Sequence, residues 1–266
     1  MPIHYEKRGH IAHITIDNGR LNLMQPILHR ELYEHLEEFI ADEEVRVGIL
    51  AGTEGRSFCA GDDLKVEVPE RSRKETLEAH LYTAKRHSDP PGRPGWDQDT
   101  VKLERFKPIV GAVDYYCLGQ GLIYLLQLTD IRFTTPRAEF GLPEVAYGMG
   151  GIGGLTRIGR QVPHTAAMWM MLTGERVGAA RAREWHLVNE IVEPEALFAA
   201  AQAAAEKIAQ IPPLSIRVEM EAYQRGMDLS RHDSLALIAH FYRMQVLGGG
   251  TEGITPAFMR KKNQER

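Results

Sequence analysis

Apolar and polar residues alternate from Ile11 through Ile16, the period-two pattern of a strand with one buried face, and Asp17-Asn18-Gly19 ends it as a turn. Between 25 and 41 the period changes. Ile27, Leu28, Leu32, Leu36 and Ile40 recur at helical spacing and predict an amphipathic helix. Val45 to Ala51 is a short apolar run suited to a buried strand. Helix-like and strand-like segments keep alternating through Val113, Leu122 to Leu128 and Ile131 to Thr134, which predicts an α/β layer rather than a helical bundle. After Pro194 the strand signals stop. Ala199 to Ile211, Leu214 to Arg225 and Ser230 to Leu247 read as helices, with breaks at Pro212-Pro213 and Gly248-Gly249-Gly250. The expected division is an α/β core over 1–195 and a C-terminal helical region over 196–266, packed on the core or on a neighbouring subunit. One insert, Ser88 to Trp96, is too rich in proline and glycine for regular structure, and reads as a functional or mobile loop.

Composition narrows the class of protein. With 266 residues and 43% apolar content the chain can bury a real core as one large domain, or a domain with an appendage. A net charge of −4 argues against a broad nucleic-acid surface. Apolar stretches fall well short of the roughly 18 residues that span a bilayer, and the N-terminus lacks a signal-peptide pattern. Two cysteines, Cys59 and Cys117, are too few for a disulfide framework and are expected to be buried and reduced. These features predict a cytoplasmic protein. No cluster has metal-ligand spacing, and no Gly-x-Ser-x-Gly elbow points to a serine hydrolase.

The chemistry concentrates in two glycine-bearing loops and one glutamate. Phe58-Cys59-Ala60-Gly61-Asp62-Asp63-Leu64 follows the strand-like run at Val45 to Ala51, and Leu118-Gly119-Gln120-Gly121 follows the one at Pro108 to Val113. Each reads as a strand, a glycine turn and the start of a helix, a geometry that leaves backbone N–H groups unpaired and aimed outward. Two such loops facing one another can hold a carbonyl oxygen that gains negative charge during a reaction. Glu144, in Phe140-Gly141-Leu142-Pro143-Glu144, is the candidate acid or base beside them, although a glutamate after proline also suits the first turn of a helix for purely structural reasons. Asp63 reads as a turn residue capping the next helix.

Several ordered stretches resemble the enoyl-CoA hydratase/isomerase family, the crotonases. Ser57 to Leu64 is similar to the family's first oxyanion-hole loop, and Gly111 to Gly121 followed by Leu128 to Arg132 is similar to the second. Glu139 to Glu144 with Gly150 to Gly154, Leu172 to Arg176 with Val188 to Val192, and Glu252-Gly253 with Ala257-Phe258 continue the match nearly to the end of the chain. The resemblance implies a spiral of ββα units with a C-terminal helical trimerisation region, and hence a homotrimer or a hexamer built as a dimer of trimers. It implies an acyl-CoA thioester as substrate, coenzyme A entering as part of that substrate with no permanently bound cofactor, and a place in fatty acid metabolism. The thioester oxygen would sit between the N–H groups of Asp62 and Gln120, with Glu144 as acid/base. Ala60, Gly61, Gly119, Ile123 and Phe258 would line the substrate site, while Lys261, after Phe258, would meet the nucleotide end of coenzyme A.

The chain departs from the family's pattern in places that bear on the reaction. Ile123 stands where the family's hydratases carry the first of two acid/base glutamates, and Glu144 matches the second. Gln120 replaces the usual glycine of the second loop, and Asp114-Tyr115 replaces Asn-Gly. Hydration normally divides its proton transfers between two groups, whereas one group can move a double bond by taking a proton and returning it elsewhere. One glutamate beside an oxyanion hole therefore suits isomerisation better than efficient hydration. Hydrolysis or decarboxylation of a β-carbonyl acyl-CoA, and a catalytically silent CoA-binding homologue, are the alternatives. No role is required of the Asp62 side chain. His80, His87, Trp96 and Tyr115 fall near the expected substrate cap or acyl pocket without a necessary role.

Overall fold

The alternating segment at the N-terminus pairs with a strand that the apolar pattern did not single out. In the computed structural model, which describes residues 2–67, 70, 72–82, 95–150 and 158–248, β1 (Ile3–Arg8) and β2 (Ile11–Ile16) form an antiparallel hairpin with Ile3 opposite Ile16. Helix α1 (Pro26–Ala41) opens on a proline, whose fixed φ and missing N–H suit a first helical position. It turns Leu28, His29, Leu32, Tyr33, Leu36 and Phe39 inward. Strand β3 (Val47–Gly52) then runs parallel to β2, and all six of its residues are buried.

That complete burial follows from helices on both faces. Leu50 belongs to the main core with α1, while Val47, Ile49 and Ala51 point the other way. Gly48 leaves space on one face, because a Cβ there would lie 3.1 Å from Ile109 and 3.3 Å from Phe39. After β3 come α2 (Arg73–Leu81), started by a Ser72/Glu75 capping box, and α3 (Trp96–Lys102). Trp96 opens α3, is buried and packs on the Tyr33 ring at 5.1 Å between centroids. The rest of the proline-rich insert, 88–94, and His87 lie outside the described residues.

Strand β4 (Ile109–Val113) is parallel to β3 and continues into the short β5 (Tyr116–Leu118) of a second sheet. Helix α4 (Gln120–Leu128) lies close over β4 because Gly111 has no side chain, and a Cβ there would come within 2.9 Å of Leu125. Strand β6 (Ile131–Thr134) returns to the first sheet, and β7 (Glu139–Gly141) joins β5 in the second. A 3-10 turn (Pro143–Tyr147), α5 (Ile158–Gln161), α6 (His164–Thr173), β8 (Val177–Gly178), α7 (Ala179–Glu184) and β9 (Glu190–Ile191) follow. The larger sheet has the order β1-β2-β3-β4-β6-β9, and the smaller is β5-β7-β8.

The stretch expected to be helical from 196 onward contains α8 (Leu197–Ala209), α9 (Pro213–Gly226) and α10 (Arg231–Leu247). Helix α8 covers the second face of the large sheet, with Leu197, Ala201 and Ala205 against Val47, Ile49, Ala51, Val110 and Ala112. Helices α9 and α10 pack on each other, closely enough that a Cβ on Gly226 would meet Ser234 Oγ at 2.8 Å.

Candidate active site

The two glycine loops lie side by side. Cys59 and Cys117 form an isolated parallel bridge between them, in which the Cys59 N–H donates to the Tyr116 carbonyl at 3.0 Å and the Leu118 N–H donates to the Cys59 carbonyl at 2.9 Å. Gly121 permits this approach, since a Cβ there would lie 2.2 Å from the Cys59 carbonyl oxygen. Gly61, at φ +104°, would place a Cβ 4.0 Å from the Gln120 nitrogen. The bridging cysteines are free and buried, and burial pushes the Cys59 thiol up to about 12, which removes it as a nucleophile at neutral pH.

Backbone pairing decides where the two proposed donors point. Met24 donates to the Gly61 carbonyl at 2.9 Å and accepts from the Asp63 N–H at 2.8 Å, so the intervening Asp62 turns its own N–H away from Met24. Gln120 is the first residue of α4, where an N–H has no intrahelical acceptor, and the first helical bond runs from Ile123 to the Gly119 carbonyl at 3.1 Å. Gly119 holds the turn before it at φ +53° and donates its N–H to the Gly141 carbonyl at 2.9 Å. Only the second loop leads into a helix. Contrary to expectation, Asp63 caps none: its carboxylate accepts from the Lys65 N–H at 3.1 Å and from Gln25 at 3.2 Å, closing a turn. The chain passes through that turn long before α2 begins, because Leu64-Lys65-Val66 lacks the apolar repeat that would seat a helix on the core.

Glu144 meets these loops from the third motif. It sits in the first turn of the 3-10 helix after Pro143, and its Oε1 occupies the space over Gly119. Its Oε2 is buried and finds no hydrogen-bond partner among the described residues. Burial raises its carboxyl above the ordinary range, and the negative charge of Asp62 adds to the shift despite a backbone hydrogen bond that opposes it. Gly174, at φ +66°, packs under this turn, with Val145 only 2.9 Å from where a Cβ would be.

Asp62, Gln120, Glu144, Gly61 and Gly119 are thus brought together, and Ala60 lies in the same loop with its N–H bonded to Leu21 at 3.0 Å. Ile123 is only 1% exposed and belongs to the main core. Phe258 and Lys261 lie outside the described residues, as do 151–157 of the glycine-rich motif, and the His80 side chain is likewise not described. Tyr115 is at φ +48° with the Arg137 guanidinium 4.2 Å above its ring. Asp114, which precedes it, accepts from Arg137, Thr135 and the Tyr115 N–H, and so fixes the corner leading into β5.

Two buried polar residues near the loops escaped sequence reasoning. His29 lies on the inward face of α1, with Nδ1 2.5 Å from the Tyr124 hydroxyl and Nε2 3.3 Å from Asp62 Oδ1. A histidine on the same face as Leu28, Leu32 and Leu36 was the available signal, but its partners come from segments distant in the chain. Among the described residues no group of three or more His, Cys, Asp or Glu is placed to hold a metal, and no helix is long and apolar enough to cross a membrane.

The enoyl-CoA hydratase/isomerase family model matches residues 6–246. The chain belongs to this family. Its α/β architecture is the crotonase fold. An enoyl-CoA hydratase/isomerase from Mycobacterium paratuberculosis superposes with a TM-score of 0.79 at 30% identity, covering 98% of this chain and 96% of that one. Among curated relatives, the (E)-benzylidenesuccinyl-CoA hydratase of Thauera aromatica is 33% identical over 86% of this chain and 84% of its own length. The short-chain-enoyl-CoA hydratase of Clostridium acetobutylicum is 31% identical over 87% and 84%. The protein is therefore an enzyme of the enoyl-CoA hydratase/isomerase family, and acyl-CoA substrates fit that membership.

Proposed function

We propose that this enzyme binds an enoyl-CoA with its thioester oxygen between the N–H groups of Asp62 and Gln120, and that Glu144 exchanges a proton at the α-carbon. Electrons arriving from the double bond, or from a broken C–H bond, collect on the thioester oxygen as an enolate. Two fixed N–H donors lower the barrier to that charge, with loss of one such donor costing roughly 3–4 kcal/mol. The observation that carries this reading is the seat of Glu144: a carboxylate with one buried oxygen that has no partner among the described residues, lying on the glycine immediately before the Gln120 N–H. Its raised carboxyl holds a proton more readily than a solvated glutamate does, as a group that passes a proton to carbon requires. The same arrangement serves addition of water to the double bond, its reversal, or migration of the bond. No resident cofactor is needed, because the thioester itself acidifies its α-carbon.

Further parts of the proposal concern assembly and setting. Helices α9 and α10 leave Tyr223, Leu235, Ile238, Tyr242 and Met244 exposed, a surface suited to burial against further copies of this chain as a trimer or a dimer of trimers. We place the enzyme in the cytoplasm, in fatty acid or related acyl-CoA metabolism. Light scattering of the purified protein tests the assembly, and a monomeric mass would end that part.

The reaction itself is tested by α-proton exchange. Butyryl-CoA incubated with the enzyme in D2O is expected to take up deuterium at the α-carbon, read by mass spectrometry. Glu144→Gln should bind butyryl-CoA yet exchange about 10²–10⁴-fold more slowly. No exchange by the wild type, or wild-type exchange by Glu144→Gln, would overturn the assignment.

A further inference from the structure

Hydration of a conjugated double bond requires one proton taken from water and one given to the α-carbon. Glu144 can serve one of these tasks. Ile123, buried in the core, can serve neither.

A second carboxylate stands at the oxyanion loops. The Asp62 side chain reaches toward α1, where its Oδ1 lies 3.3 Å from His29 Nε2, while 48% of that side chain stays exposed. His29 is buried, and its Nδ1 lies 2.5 Å from the hydroxyl of Tyr124, which is fully buried. Tyr124 is one helical turn beyond Gln120 on α4, and the Gln120 side chain opposes the upward shift that burial gives the tyrosine hydroxyl. Four polar side chains thus run in line from one oxyanion residue to the other.

The Tyr124 hydroxyl and His29 Nδ1 share a hydrogen bond, and the other ring nitrogen, Nε2, faces the Asp62 carboxylate. With the tyrosine hydroxyl donating to Nδ1, the ring proton sits on Nε2, toward Asp62. A buried tyrosine and histidine cost stability unless fully satisfied, and an apolar pair could fill this part of the core, so their presence calls for a role.

Resting on the function proposed above, we infer that the Asp62 carboxylate, oriented by His29 and Tyr124, is the second acid/base group of the site and acts on water while Glu144 serves the α-carbon. In the hydration direction Asp62 takes a proton from water as the water oxygen bonds to the β-carbon. The π electrons move to the thioester oxygen, held by the N–H groups of Asp62 and Gln120. Protonated Glu144 then gives its proton to the α-carbon as the enolate collapses. The substrate gains H and OH, Asp62 ends as the acid and Glu144 as the carboxylate, and exchange with solvent resets both. The upward shift of the Glu144 carboxyl matches its role as the proton-bearing partner. Asp62 is then a catalytic residue, and His29 and Tyr124 are positioning residues.

The test separates the two half-tasks. But-2-enoyl-CoA and cinnamoyl-CoA in H2(18)O report water addition, and butyryl-CoA in D2O reports α-exchange. Asp62→Ala and Asp62→Asn are expected to lose water addition by at least about 100-fold while α-exchange falls by less than about tenfold. Added formate should restore part of the water addition in Asp62→Ala, as no purely structural role would. Tyr124→Phe and His29→Leu should lower kcat for hydration about tenfold with KM nearly constant. Asp62→Ala hydrating within about tenfold of wild type overturns the inference. So does a joint loss of both activities without formate rescue in either Asp62 variant, or a wild type that exchanges the α-proton but hydrates neither probe. A wild type that exchanges nothing overturns the underlying function as well.

Discussion

Oε1 of Glu144 lies 1.8 Å from the point where a Cβ on Gly119 would be, so the carboxylate occupies the volume that any other residue at 119 would fill. Gly119→Ala would therefore displace the acid and also force an alanine to φ +53°. The expected outcome is a stability loss of about 1–3 kcal/mol from the backbone conformation and a fall in turnover approaching that of Glu144→Gln. Thermal melts and kcat for the same preparation check both. Wild-type turnover in a folded Gly119→Ala would show that the carboxylate need not sit there.

Glu144 also carries a stability cost. Its folded carboxyl titrates above the unfolded value, so the native state prefers the protonated form. The penalty is absent below the unfolded value near 4.5 and grows as pH rises through the folded one. Because the group is only half-buried, the effect is on the order of 1 kcal/mol or less. Glu144→Gln should thus melt at or above the wild type at neutral pH and lose that advantage in acid. A variant that melts lower at neutral pH would mean that the carboxylate supports the fold.

Ile123 is buried at 1% exposure among core side chains. Restoring the family's glutamate with Ile123→Glu should bury an unpaired carboxyl group, destabilise the protein by several kcal/mol (roughly 2–5) and add no hydration activity. Chemical denaturation and an enoyl-CoA hydration assay decide it. A stable variant with faster hydration would mean that position 123 opens onto the substrate.

The Asp114 corner predicts acid sensitivity. Burial alone would raise its carboxyl, but hydrogen bonds from Arg137, Thr135 and the Tyr115 N–H outweigh that and hold it below the usual range. Its contribution is present above the unfolded value near 3.8 and disappears as pH falls through the folded value. Asp114→Ala should cost about 1–3 kcal/mol at neutral pH, moderated because Arg137 is partly exposed, and should unfold with a shallower dependence on acid pH. Identical acid profiles for variant and wild type would exclude the pair as a determinant.

How much of this was legible in advance varies by element. The stripe from Ile27 to Ile40 predicted α1 almost to the residue, because an amphipathic helix writes its buried face into local spacing. The alternation at Ile11 to Ile16 did the same for β2. Strands β5, β7 and β8 have three, three and two residues, too few to show a period. The proline and glycine around Trp96 predict an irregular insert, yet Trp96 begins α3 because its ring is buried against Tyr33, a contact made across 63 positions of sequence.

Residue type and local spacing were enough to place α1, β2, the two glycine loops and the glutamate after Pro143. Tertiary structure alone decided that Glu144 rests on Gly119, that Ile123 is sealed in the core, and that Asp62, His29, Tyr124 and Gln120 form one line. Those relationships join residues from different turns of the chain, and only packing fixes the ångström-scale distances on which proton transfer depends.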